Sequence, residues 1–153
     1  MFTQKTSDLE QMLCKTHPSD MEAYLKSNRE DLMQDRQTFT QFMREKLRKK
    51  QLKKQDVLLR ADISLRYGYK LLTKEKVTRQ RDVILRICYA AEFTLSETQQ
   101  ALRLYRMNTL YARDPRDAFL MVCFNTRPGN VLELNELLTK NKLEPLRSSG
   151  VQE

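Results

Sequence analysis

The sequence predicts an all-α fold, on three observations. Glycine and proline are scarce, 3 and 4 in 153 residues, too few for a turn-rich β fold. Helix-start signals recur along the chain. Between them, apolar residues return at three- and four-residue spacing, the period of a helix with one buried face. With 40% hydrophobic and 31% charged residues, the chain is also too apolar for disorder.

The elements follow in order. Ser7-x-x-Glu10, Ser19-x-x-Glu22, Thr38-x-x-Gln41 and Thr94-x-x-Glu97 match the capping box, in which two side chains satisfy each other's orphan amides. Asp114-Pro115 sets an N-cap acid before a first-turn proline, and Asn130 with Glu133 repeats the box with Asn as cap. Met21, Tyr24, Leu25, Asn28 and Leu32 give the first stripe. Phe39, Phe42, Met43 and Leu47 give the next. Val83, Ile84, Ile87, Cys88 and Ala91 mark a further helix, and Leu95, Ala101, Leu102 and Tyr105 the one after it. Val131, Leu134, Leu137 and Leu138 mark the last. Residues 118–124 are apolar throughout, and the Asp-Pro start and the helical neighbours favour a buried helix there over a strand. The tail, 147–153, reads as unstructured, and no internal repeat is visible.

Several function classes lose ground on composition. No C-x-x-C pair exists, and the single histidine, His17, precedes a proline in a loop-like stretch, so a zinc site lacks its ligands. Cys14, Cys88 and Cys123 read as plain buried thiols. Three glycines cannot build a phosphate loop. The expectation is a non-enzyme with no cofactor and no metal. The longest apolar run, 118–124, falls far short of the roughly 20 residues that cross a bilayer. The N-terminus MFTQKTSDLEQ carries no apolar secretory core. No membrane partner is expected, and the chain reads as cytoplasmic, nucleoid-associated if it binds DNA.

Charge is unevenly spread. Residues 1–43 carry a net −2, residues 44–81 a net +10, and residues 82–153 balance, giving +8 for the chain. Such a cluster repels itself, and a function that needs an anionic partner explains its upkeep. Inside it lies KQDVLLRADISLRYGYKLLTK, residues 54–74. Val57, Leu58 and Ala61 place an apolar face on a helix of about two turns. Asp62 stands at a sharp turn, Ile63 anchors it, and Ser64 caps a second helix, Leu65–Leu72. Gly68, Leu71 and Leu72 fall on the inner side of that helix. Leu65, Arg66, Tyr67, Tyr69 and Lys70 fall wholly or partly outside.

That layout resembles the helix-turn-helix of the lambda repressor/Cro-like (XRE) family. Lys54, Val57, Ile63 and Leu71 fill matching positions, and residues 74–102 resemble the loop and two closing helices of the five-helix fold. The match spans about residues 38–105. A small bacterial group of such proteins is also similar in Arg66-Tyr67-Gly68-Tyr69 and in Asp114-Pro115-Arg116-Asp117-Ala118. Three positions depart from the pattern. Asp62 replaces the turn glycine, and it tolerates a left-handed backbone better than most residues. Leu58 replaces a small residue and Gly68 a branched one, which reads as one volume-compensated contact. Lys74 replaces a helix-ending glycine.

The resemblance implies a lambda-repressor-like domain at 37–110. It would be flanked by acidic amphipathic N-terminal helices (1–36), a C-terminal helical extension packed on it (111–144) and a flexible tail (145–153). It implies a sequence-specific double-stranded DNA-binding protein, a transcriptional regulator whose helix 65–72 enters the major groove. Arg66 is the candidate for bidentate guanine readout, with Lys70, Leu65 and Tyr69 as further base contacts. Lys53, Lys54, Gln55, Arg79, Arg81 and Tyr67 are candidate phosphate contacts, Tyr67 equally a core residue. Arg44, Lys46, Arg48, Lys49 and Lys50 spiral around the preceding helix and receive no site. The alternative is a protein-interaction module that kept this fold, favoured by an apolar Leu65 on the outer face. Partners could then dock on the N-terminal helices (7–35) or the C-terminal pair (114–142). RNA binding is weaker, since no aromatic stacking platform is present. A homodimer on a palindromic site is the family's habit.

Overall fold

The structure, a computed structural model, describes residues 4–32 and 37–148. Among them every regular element is a helix. They form two compact units, Met1–Arg36 and Gln37–Glu153.

The first unit holds α1 (Thr6–Cys14) and α2 (Met21–Ser27), with short 3₁₀ turns at Pro18–Asp20 and Arg29–Asp31. Its interior is small. Among its described residues, Tyr24, Asn28 and Asp31 are buried, and α1 buries none. Asn28 Nδ2 donates to the Tyr24 carbonyl, and Asp31 Oδ1 accepts from the Gln4 amide at 2.9 Å. Two expected caps do not form here. Helix α1 starts at Thr6 behind Lys5, so Ser7 lies inside it, and α2 starts behind Asp20, with Ser19 in the preceding turn. Neither helix has a side-chain cap. Pro18 pins the second start by its own φ. Met21 and Leu25, expected inside, are exposed, as is Cys14. The spacing was right for a helix, but two short helices offer too little surface to cover the stripe.

The second unit comprises α3 (Phe39–Lys49), α4 (Lys54–Arg60), α5 (Leu65–Leu72), α6 (Arg81–Ala90), α7 (Leu95–Leu104), α8 (Pro115–Thr126) and α9 (Val131–Lys140). Helix α6 is its axle. Residues 83–90 are all buried, and α6 touches α4, α7 and α9. Phe39, Phe42, Met43 and Leu47 close the core from α3, with edge-to-face pairs Phe39–Tyr105 and Phe42–Phe93. The caps expected in this unit form. Thr38/Gln41 and Thr94/Glu97 are complete capping boxes, and Asp114 and Asn130 accept from the amides of Asp117 and Glu133. Residues 118–124 are helical as expected, but Val122 is 56% exposed. An apolar run on a helix cannot hide every side chain when only one side of that helix meets neighbours. At the C-terminus, the Arg147 amide donates to Asp82 Oδ2 at 3.0 Å, so that residue is held. Ser148 is exposed, and the remainder of the expected loose tail, 149–153, lies outside the described residues.

One local device recurs. Each helix of this unit ends in a left-handed residue that is not glycine, and five of these residues, Gln51, Asp62, Glu92, Arg106 and Lys142, with φ between 56° and 62°, share one ending. An apolar residue follows each, and its amide reaches back to a carbonyl in the last turn. Leu52 bonds Leu47, Ile63 bonds Leu58, Phe93 bonds Cys88, Met107 bonds Leu102, and Leu143 bonds Leu138, at 2.8–3.1 Å. This is the Schellman ending, built here without its usual glycine. Each β-carbon in that conformation costs about 1–2 kcal/mol, partly offset by a stiffer unfolded chain. Gln51→Gly and Lys142→Gly are therefore expected to stabilise by about 0.5–1 kcal/mol each, read as a higher urea midpoint.

The device also exposes a repeat that the sequence hides. Residues 57–72 and 87–102 fold alike, a helix, a left-handed turn, an N-cap and a second helix. Ala61 matches Ala91, Asp62 matches Glu92 and Ile63 matches Phe93. Ser64 matches Thr94, Leu65 matches Leu95 and Leu72 matches Leu102. Only Ala61, Leu65 and Leu72 are identical to their counterparts, so the repeat lies in burial and backbone rather than in residue names.

Candidate nucleic-acid interface

Helices α4 and α5 stand in the basic stretch 44–81. The turn between them is held from three sides. Asp62 adopts φ 56°, the Ile63 amide bonds the Leu58 carbonyl, and Ser64 Oγ accepts from the Tyr67 amide. On α5, Gly68, Leu71 and Leu72 are buried, which sets the outer side of the helix. A β-carbon on Gly68 would lie 2.4 Å from Leu58 Cδ2 and 2.6 Å from Cδ1, so the large residue on α4 occupies the space the glycine leaves.

The outer side sorts the expected base-contacting residues. Arg66 and Tyr69 are exposed and Lys70 is half-buried. Leu65 and Tyr67 are half-buried and pack against the core. Leu65 has a structural counterpart in Leu95, also half-buried against the core. An apolar first residue of the second helix thus serves packing in both copies, and Leu65 is less exposed than an outer-face position would be. Tyr67 falls on the packing side of its two readings.

The expected phosphate contacts divide as well. Lys53, Gln55 and Arg79 are exposed and Lys54 is half-buried, at the start of α4 and ahead of α6. Arg81 is engaged elsewhere. Its Nη1 and Nη2 donate to the two Asp117 carboxylate oxygens at 3.0 and 2.5 Å, and Nη1 also meets the carbonyls of Asn108 and Thr109. Asp117 is 4% exposed and accepts in addition from the Tyr111 amide. A guanidinium forked onto a buried carboxylate belongs to the core of the domain, and its charge is largely neutralised there. Sequence reasoning missed this pair because 36 positions separate the partners.

The basic residues of α3 also sort by position. Lys46 and Lys50 converge on Glu97 at 3.5 and 3.0 Å, and Lys49 pairs with Glu45 at 3.3 Å. Burial pushes the Glu97 carboxyl up. The Thr94 amide and the two ammonium groups outweigh that and hold it below its usual range. Helix α7, the counterpart of α5, is therefore tied down electrostatically, whereas Arg66 and Lys70 form no salt bridge among the described residues. Beside the C-terminal end of α5 opens a cleft of about 970 Å³ bordered by Lys74, Arg79, Arg106 and Tyr111. Lys74 adopts φ 60° just past the end of α5, and its ammonium stands 4.9 Å from the Tyr105 ring centroid.

The thiols of the second unit are inert by placement. Cys88 and Cys123 are buried, and burial pushes both thiols up, away from the reactive thiolate. No described helix is long and apolar enough to cross a membrane. No family model, curated protein or solved structure matches the chain.

Proposed function

We propose that the chain is a sequence-specific double-stranded DNA-binding protein with a lambda repressor/Cro-like helix-turn-helix, acting as a transcriptional regulator. The observation that carries this reading is the pairing of α5 with its charge. A helix with a glycine-tight inner side presents Arg66, Tyr69 and Lys70 outward in the one stretch of strong positive charge. A guanidinium there reads guanine bidentately, and a lysine one turn later reaches a base or a phosphate. Lys53, Lys54, Gln55 and Arg79 supply the backbone contacts that set register. Arg81 leaves that set, and Leu65 and Tyr67 serve packing. The protein-interaction alternative loses its main support with Leu65 accounted for by the core. It keeps the exposed Met12, Leu13, Met21 and Leu25 of the first unit, which suit a protein surface.

Selection on random-sequence duplex DNA tests the reading. One motif is expected to enrich with the native chain and to lose its enrichment with Arg66→Ala/Lys70→Ala, since a good bidentate contact discriminates by about 1–3 kcal/mol. Binding is expected to weaken with salt at a log–log slope of about −4 to −5, one phosphate fewer than the −5 to −6 that roughly 5–7 contacts including Arg81 would give. A flat salt dependence with no enriched motif would leave the interaction module standing.

A further inference from the structure

The cavity between α4 and α9 holds a second charged site, away from the outer side of α5. It measures about 350 Å³, within the usual range for small-molecule sites, and Leu59, Arg60, Asp62, Arg86, Val131 and Leu132 border it. Arg86 is its unusual member. It stands on the buried axle helix α6 and is 6% exposed. Its Nη1 donates to the Ala61 carbonyl at 3.0 Å and its Nη2 to the Leu146 carbonyl at 2.7 Å. Its Nε has no hydrogen-bond partner. No carboxylate forms an ion pair with it among the described residues, and burial pushes the guanidinium pKa down, against the longer-range pull of Asp62 and Asp82. A buried cation whose hydrogen bonds all go to neutral carbonyls is only partly compensated by carboxylates at longer range.

The rest of the cavity indicates what would compensate it. Arg60 adds a second cation at the rim and Asp62 one anion, so the cavity carries one net positive charge. That balance suits a monoanion and disfavours a doubly charged phosphate monoester. Leu59 and Leu132 stand on opposite sides, 59% and 68% exposed, the two largest apolar side chains bordering the cavity, and both left in water. We propose that this cavity binds a small organic monocarboxylate, its carboxylate against Arg86 and Arg60 and its apolar body between Leu59, Val131 and Leu132. The inference is independent of the DNA reading, because it rests on α6, the rim of α4 and α9.

The test is calorimetric titration of the full chain with hexanoate, with 1-hexanol and hexylamine as controls. Hexanoate is expected to bind with Kd of about 1 mM or tighter, and at least about tenfold more tightly than either control. Arg86→Met removes two buried hydrogen bonds and is expected to destabilise the domain, so Arg60→Gln and Leu132→Asp, both at exposed positions, carry the test. Each is expected to weaken hexanoate severalfold or abolish its binding while leaving the melting temperature within about 2 °C. Equal binding of hexanol would reduce the cavity to an apolar slot and overturn the carboxylate assignment. No binding of hexanoate, or binding indifferent to both substitutions, would overturn the site itself.

Discussion

Asp117→Ala is expected to lower the melting temperature of the protein by roughly 10 °C, a loss of about 3 kcal/mol. Three interactions fail together. The Arg81 guanidinium loses both carboxylate oxygens, the Tyr111 amide loses its acceptor, and the partner cation is left beside a vacant pocket. Arg81 keeps a quarter of its side chain in solvent, so the loss belongs at the low end of what breaking a buried pair costs. The position also matters for chain order. Asp117 lies in the first turn of α8, where Asp114 caps its amide, and it ties α8 to the start of α6. Arg81→Gln separates this structural role from a phosphate-binding one. It is expected to lower the melting temperature by several degrees while leaving the salt slope of the proposed DNA binding unchanged. A slope reduced by about one would return Arg81 to the interface.

The Leu58–Gly68 contact gives the second large effect. Gly68→Val is expected to destabilise by about 2–3 kcal/mol, because the new β-carbon would fall within 3.0 Å of three Leu58 atoms. Leu58 is fully buried, so its side chain cannot swing clear. Leu58→Cys alone removes volume and leaves a cavity costing about 2 kcal/mol or more. The second copy of the unit shows how the two changes cancel, for there Cys88 and Thr98 hold the equivalent places and both are buried. The double variant Leu58→Cys/Gly68→Thr is thus expected to be more stable than Leu58→Cys and Gly68→Thr would be by addition, with a coupling of about 1–3 kcal/mol in a double-mutant cycle of urea midpoints. A coupling near zero would mean that the two positions do not share one volume.

These two sites also mark where sequence reading succeeds and where it stops. Leu58 and Gly68 were legible as a pair because they face each other across the two helices of a familiar layout, and each departs from it in the opposite sense. Ser64, Asp62, the start of the first helix at Lys54 and the bounds Leu65–Leu72 were legible for the same reason: caps and turns are local, and their chemistry is carried by adjacent residues. The Arg81–Asp117 pair was not legible, since nothing in either neighbourhood names the other. The second copy at 87–102 was equally hidden. A backbone motif needs a left-handed residue, an apolar anchor and a cap, and many residue types satisfy each requirement.

What the sequence by itself determined was local: an all-helical chain, most of its helix starts, the inner side of α5 and the concentration of charge in 44–81. These follow from neighbours within a turn or two, where hydrogen bonds and periodicity leave few choices. The tertiary structure alone decided which charges face outward. Of the basic residues, Arg81 is bound by Asp117, Lys46 and Lys50 by Glu97, and Arg86 is enclosed by the core. Coulomb attraction and burial act through space rather than along the chain, so a count of lysines and arginines cannot separate a surface cation from one already neutralised.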